Sequence, residues 1–140
     1  MQPSPRNMTA RFFTICILGV GVLAPVLAGS TPALSLGQVA VDVQGNRTCA
    51  VVLTTADQSI AALQFDLQYP DQTVNIAGSL GSAATLARKS LWMSIPQPAT
   101  KRFLIAGFNA ASFSDGAVIT LSIQVAPGTL PGLYALSLTN

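Results

Sequence analysis

Five aspartates, five basic side chains, one cysteine and one tryptophan are the residues beyond position 28 that could do chemistry, and the chain has no histidine and no glutamate. Without His, no Ser-His-Asp or Cys-His nucleophile can be assembled. A hydrolase built on paired carboxylates would have to draw two groups from Asp42, Asp57, Asp66, Asp71 and Asp115, which are scattered along the sequence. A zinc-type site lacks both His and a second Cys, and no loop clusters the acidic residues that an all-oxygen calcium site at Asp57 or Asp71 would need. Asp71 and Asp115 fall at turns, where Asp commonly bonds its own backbone, and Asp66 falls on the polar face of a strand, where it is expected to be solvated. Cys49 lies in an apolar, β-branched run and reads as a small buried hydrophobe, not as a reactive thiol. The chain is therefore read as non-enzymatic, with no cofactor and no metal. Function has to lie in a surface.

Trp92 is the side chain most able to make such a surface. Set between Arg88-Lys89 and Pro96-Gln97-Pro98, it could be an exposed platform on which a sugar ring stacks. Packing onto the core is the favoured reading, since isolated aromatics usually bury most of their area. Sugar-binding faces also tend to carry several coplanar aromatics, and only Trp92 and Phe113 fall outside the clear strands. Arg88-Lys89 and Lys101-Arg102 flank the segment, either as one basic patch or as charges that guard strand edges. Asn46-Arg47-Thr48 matches a glycosylation acceptor, a tripeptide common by chance.

The elements that must position these groups are strands. From Ile60 to Pro70 the chain reads Ile-Ala-Ala-Leu-Gln-Phe-Asp-Leu-Gln-Tyr-Pro: Leu63, Phe65, Leu67 and Tyr69 alternate with Ala62, Gln64, Asp66 and Gln68. That period of two puts large apolar groups on one face and polar groups on the other. Ile119, Leu121, Ile123 and Val125 repeat the pattern, as do Val39, Val41 and Val43, and Tyr134, Leu136 and Leu138. Further strands are expected at Cys49 to Thr54, Thr73 to Ala77, Leu91 to Ile95 and Arg102 to Phe108, the last with a bulge at Gly107. Ser82 to Lys89 holds helix formers, with Leu86 one turn after Ser82, and admits one short helix. Gly, Pro and Asn punctuate the strands at short intervals. The expected fold is all-β, a sandwich of about eight or nine strands.

The chain's start is read differently. Arg6 and Arg11 precede an apolar run from Phe12 to Leu27, followed by Ala28-Gly29-Ser30, which are the parts of a secretory signal peptide. Cleavage is expected between Ala28 and Gly29, with Ser35 as a second site. An uncleaved membrane anchor is the rival, but the run is short of the ~20 apolar residues of a span and Pro25 interrupts its end. Cys16 follows Phe13-Thr14-Ile15, which is not a lipobox. The divisions expected are 1–28 signal peptide, 29–35 linker and 36–140 domain. Past the leader, five basic residues balance five acidic ones, so the net charge of +2 belongs to Arg6 and Arg11. A neutral domain has no electrostatic footprint for nucleic acid or anionic lipid.

Three segments, taken in order, resemble a cohesin domain. They are Ile60 to Ile76, with Phe65, Leu67, Tyr69, Pro70 and Val74; Asp115-Gly116 feeding the alternating strand to Val125; and Gly132-Leu133-Tyr134-Ala135-Leu136-Ser137-Leu138. The resemblance covers roughly Leu36 to Asn140 and implies a nine-stranded jelly-roll sandwich shared with cellulose-binding modules. It also implies a secreted module of extracellular polysaccharide metabolism whose partner is a dockerin-like protein or a polysaccharide. The interaction face it implies is the outer side of the strand from Ala62 to Tyr69, that is Ala62, Gln64, Asp66 and Gln68. Well-studied cohesins tend to carry Asn and Asp where this chain has Ala62 and Gln64. Family members usually continue into one more strand near the first, so an open edge at Val39 to Val43 is expected, with self-association through it. A structural or adhesive surface subunit assembled by edge pairing is the alternative function.

Overall fold

A computed structural model of the chain describes residues 30–139 together with Phe13–Thr14. The expected cleavage site at Ala28 and Gly29, and the rest of the leader, lie outside the described residues.

Two antiparallel sheets face each other. The first runs in the order β1 (Phe13–Thr14), β2 (Ala33–Leu36), β4 (Arg47–Thr54), β9 (Gly116–Val125), β6 (Val74–Leu80), with β3 (Ala40–Val41) pairing β4 off this path. The second has the order β10 (Ser137–Thr139), β5 (Leu63–Gln68), β8 (Thr100–Ala106), β7 (Ser90–Gln97). The alternation legible at Leu63, Phe65 and Leu67 is what buries these three against the other sheet while Gln64 and Gln68 face out. Phe65 stacks on Phe103 of β8, ring centroids 5.3 Å apart, and Val51, Leu53, Ile105, Ile119 and Leu121 close around them without solvent exposure.

One end of the sandwich is plugged by α1 (Ser82–Leu86), which connects β6 to β7. Its buried face is made of the small residues Ala83 and Ala84, while Leu86, the residue that suggested the helix, is 79% exposed. The helix lies too close to β9 for anything larger: Gly81 at its N-terminus donates its N–H to the carbonyl of Val118 at 2.9 Å. The same end is tied by Asp115, whose carboxylate accepts both the N–H (2.7 Å) and the hydroxyl (2.6 Å) of Thr55. Asp115 was expected to bond its own turn; it instead bridges the loops before β9 and after β4.

Several boundaries differ from expectation. The first long strand, β2, begins at Ala33, inside the segment read as a linker. The expected strand at Val39 to Val43 is reduced to Ala40–Val41, because Asp42 turns the chain at once by accepting the N–H groups of Gln44 and Asn46. That edge already pairs β4, and its valines do not supply a buried face: Val43 is 95% exposed. Gly107 is no bulge, since β8 stops at Ala106. The register breaks instead between Val51 and Val52 of β4, where Val118 is the extra residue of β9 and both Val118 and Ile119 turn inward. The last strand is only Ser137–Thr139, laid antiparallel on β5 with Leu138 opposite Leu67.

Candidate functional site, the outer face of the four-stranded sheet

The residues picked from sequence converge on one surface. Cross-strand register places Gln64 opposite Leu104 and Leu104 opposite Trp92, so the three form one row across β5, β8 and β7. In the next row Thr139, Asp66, Arg102 and Ser94 stand side by side across all four strands. Gln68 lies beyond them, opposite Ser137, and Ala62 is exposed just before β5 begins. The face is flat because it is the solvent side of a pleated sheet, where each side chain stands beside its cross-strand neighbours.

Trp92 is 48% exposed here, which corrects the expectation that it packs onto the core. Its position on β7 explains this: Leu91 has the inward parity and is partly buried, and the indole points the other way. Leu104 beside it is 37% exposed. Sequence reasoning missed Leu104, since its membership depends on the register between β7 and β8, which no local pattern reveals.

Asp66 is not simply solvated. Arg102 donates Nε to Oδ1 at 2.7 Å and Nη2 to Oδ2 at 2.8 Å, a bidentate pair at the centre of the face. Hydrogen bonding from Arg102 holds the Asp66 carboxyl below the usual carboxylate range, and the same pair raises Arg102. The basic patch considered around Trp92 does not form. Lys101 turns inward and donates to the carbonyl of Ile76. Lys89 is buried, with its ammonium on the Asn109 side-chain oxygen at 2.7 Å and 5.8 Å from the Phe113 ring centre. Arg102 is committed to Asp66.

Among the described residues no three His, Cys, Asp or Glu converge as metal ligands would. Cys49 is buried, donates its thiol to the Gly37 carbonyl at 3.2 Å, and has its ionisation pushed up by burial. No helix among the described residues is long and apolar enough to cross a membrane. An open cleft of about 520 Å³ lies at the end of the second sheet, lined among others by Tyr69, Pro98, Thr100, Leu133 and Tyr134, and its walls carry no Asp, Lys, Arg or Cys.

The aspartates fix the acid behaviour. Asn46 holds Asp42 low, Arg102 holds Asp66 low and Thr55 holds Asp115 low. A carboxyl whose folded pKa is depressed stabilises the fold above its unfolded value, and that contribution is lost as pH falls through the folded value. The melting temperature is therefore expected to be flat from about pH 5 to 8, where a chain without His has no side chain of ordinary pKa to titrate, and to decline below about pH 4. Thermal melts across pH check this, and Asp115→Asn should shrink the acid decline.

The fold is that of a cohesin-like β-sandwich, two antiparallel sheets of which the four-stranded one presents the outer face just described. Two solved structures share the architecture. The sixth cohesin of scaffoldin B from Acetivibrio cellulolyticus, determined in complex with a Cel5 dockerin variant, superposes with a TM-score of 0.62 at 16% identity, over 76% of this chain and 80% of that one. A type III cohesin module from the cell-surface anchoring scaffoldin ScaE of Ruminococcus flavefaciens superposes with a TM-score of 0.58 at 17% identity, over 76% of this chain and 64% of that one. At such identities the likeness is one of fold. No protein-family model matches the sequence, and no curated protein matches it.

Proposed function

We propose that the chain is an exported, non-catalytic binding module that receives a dockerin-type protein on the outer face of β10, β5, β8 and β7. The observation that carries this reading is Trp92, half exposed on the edge strand of the face beside Leu104, where the charges among the described residues, Asp66 and Arg102, are already paired. Protein interfaces concentrate their energy in a few Trp, Tyr and Arg residues ringed by polar groups, and here Trp92 and Leu104 are ringed by Gln64, Ser94 and the ion pair. The cohesin fold supports the same choice, since one of the solved modules was captured with a dockerin. A lone tryptophan without coplanar aromatic neighbours is a poor sugar platform, so protein is favoured over polysaccharide. The basic start and apolar run, with the expected cleavage between Ala28 and Gly29, support a module that works outside the cell, in the setting of extracellular polysaccharide breakdown.

Calorimetry of the purified protein against a panel of dockerin domains and against cello-oligosaccharides tests the reading. Dockerin binding is expected, and Trp92→Ala should weaken it about thirty-fold, the loss of a hot-spot side chain worth about 2 kcal/mol. The melting temperature of Trp92→Ala should stay close to that of the parent. Binding of the oligosaccharides alone would turn the site into a sugar platform, and dockerin binding untouched by Trp92→Ala would move the site elsewhere.

A further inference from the structure

The edge of the second sheet carries a second kind of information. β7 is an edge strand: among the described residues it pairs only β8, so one whole side of its backbone has no partner strand. It is eight residues long and reads Ser-Leu-Trp-Met-Ser-Ile-Pro-Gln, without a single charge. Met93 is 48% exposed although it stands opposite the buried Phe103 on β8, and Ile95, 63% exposed, falls at the break in register between Ser94 and Gln97. They are exposed because no further strand covers the margin of the core there.

The other long free edge is treated differently. β6 ends the first sheet, and its margin is guarded by the ammonium of Lys101, which reaches in to the Ile76 carbonyl. Its outward residues are Asn75, Ala77 and Ser79. Inward-pointing lysines, charges and small polar residues are the usual means by which a sheet edge is kept from pairing. Among the described residues no side-chain hydrogen bond of comparable kind lands on the backbone from Leu91 to Pro96. One edge is blocked, whereas on β7 Pro96 and the break in register between Ser94 and Gln97 interrupt only the far end and Ser90 to Ser94 is left open.

We propose that β7 pairs antiparallel with β7 of a second copy of this chain, making a two-fold dimer with one continuous eight-stranded sheet. The strand is self-complementary about Met93. With Met93 opposite Met93 of the second copy, Leu91 falls opposite Ile95 and Trp92 opposite Ser94, a ladder that ends where the register of β7 on β8 breaks between Ser94 and Gln97. Every inward residue thus meets an inward apolar residue, and every hydrogen-bonding side chain stays on the outer face. The proline, which has no N–H to give, falls at the end of the ladder where its loss is least felt. Because the strand is uncharged, its pairing with itself sets no like charges against each other, which is the usual obstacle to an isologous contact. The dimer would carry two copies of the Trp92 face side by side on the same surface, so it adds to the binding reading without depending on it.

Sedimentation velocity of the purified protein, with the partner omitted, tests the dimer. The expected result is twice the monomer mass at high loading, returning to monomer on dilution. Ile95→Lys, which sets a charge against Leu91 of the second copy at a position already open to solvent, should give the monomer mass at the same loading with an unchanged melting temperature. Met93→Cys should cross-link into a covalent dimer under mild oxidation, while Val43→Cys, at an exposed turn far from β7, should not. A protein that is monomeric at every loading, or a dimer whose mass and cross-linking pattern ignore Ile95→Lys and Met93→Cys, overturns the proposal. Dockerin binding would be unaffected by that outcome.

Discussion

Phe103→Ala is expected to cost about 3–5 kcal/mol of unfolding free energy, most of what a domain with ~5–15 kcal/mol has to give. Phe103 is fully buried, stacks on Phe65 at 5.3 Å with the ring planes 21° apart, and fills the space over Gly78. Truncation removes the transfer energy of the ring and leaves a cavity at the middle of both sheets, because the strands around it cannot close without breaking their ladders. Gln64→Ala, one residue from Phe65 but on the opposite face, should stay within about 0.5 kcal/mol. Urea denaturation of the two variants measures both. Similar midpoints for the two would mean that the faces of β5 have been assigned to the wrong sides.

Gly81→Ala is expected to be the most damaging substitution that adds a single carbon. A Cβ at this position would sit 2.4 Å from the carbonyl oxygen of Ala117 and 2.6 Å from its carbonyl carbon. Overpacking costs about 1–3 kcal/mol where side chains can give way. Here the obstacle is the backbone of β9, held by its ladder to β4, so the loss should reach the top of that range. It should also break the bond from the Gly81 N–H to Val118 and loosen α1 from its seat. For a domain of this size 1 kcal/mol corresponds to roughly 4–8 °C, so the melting temperature should fall by well over 10 °C. Gly45→Ala provides the contrast: its φ of +83° is costly for a side chain, but a Cβ there meets nothing within 4 Å. A larger fall for Gly45→Ala than for Gly81→Ala would show that helix docking against β9 is not the constraint.

Strands with one buried face were legible from the sequence because their signal is local. Leu63, Phe65 and Leu67, or Leu121 and Ile123, announce their side by alternation alone, and the sandwich follows from several such segments. The ordered resemblance of three segments pointed to the fold that the solved cohesin modules share. What could not be read was whatever depended on register or on contact at a distance. Asp66 looked solvated because Arg102 lies 36 residues away and meets it only when β5 and β8 align. Asp115 looked like a turn residue because Thr55 is 60 residues distant. Trp92 was assigned to the core on the habit of its residue type, and the parity of β7 overruled that habit. The valines from Val39 to Val43 show the opposite failure: a good alternation that pairs β4 only through Ala40 and Val41, cut short by the Asp42 turn. At the site, Gln64, Asp66 and Gln68 were named from one strand, but the surface exists only as rows across four.

The placement of the basic residues has a consequence for resistance to proteolysis. An enzyme of trypsin type needs a Lys or Arg on a loop that can be drawn into its cleft, and such nicking falls on exposed loop tips. The connections at 55–62, 107–115 and 126–136 contain neither residue. Arg47, Lys101 and Arg102 sit within paired strands. That leaves Arg88-Lys89, in the turn after α1, and there Asn109 grips both: its side-chain amide donates to the Arg88 carbonyl at 3.1 Å and its oxygen accepts the Lys89 ammonium. Digestion at the basic residues of the described domain would first have to pull that turn off the sandwich, so the rate at which α1 lifts away would set the lifetime of the folded chain in the presence of a trypsin-type protease.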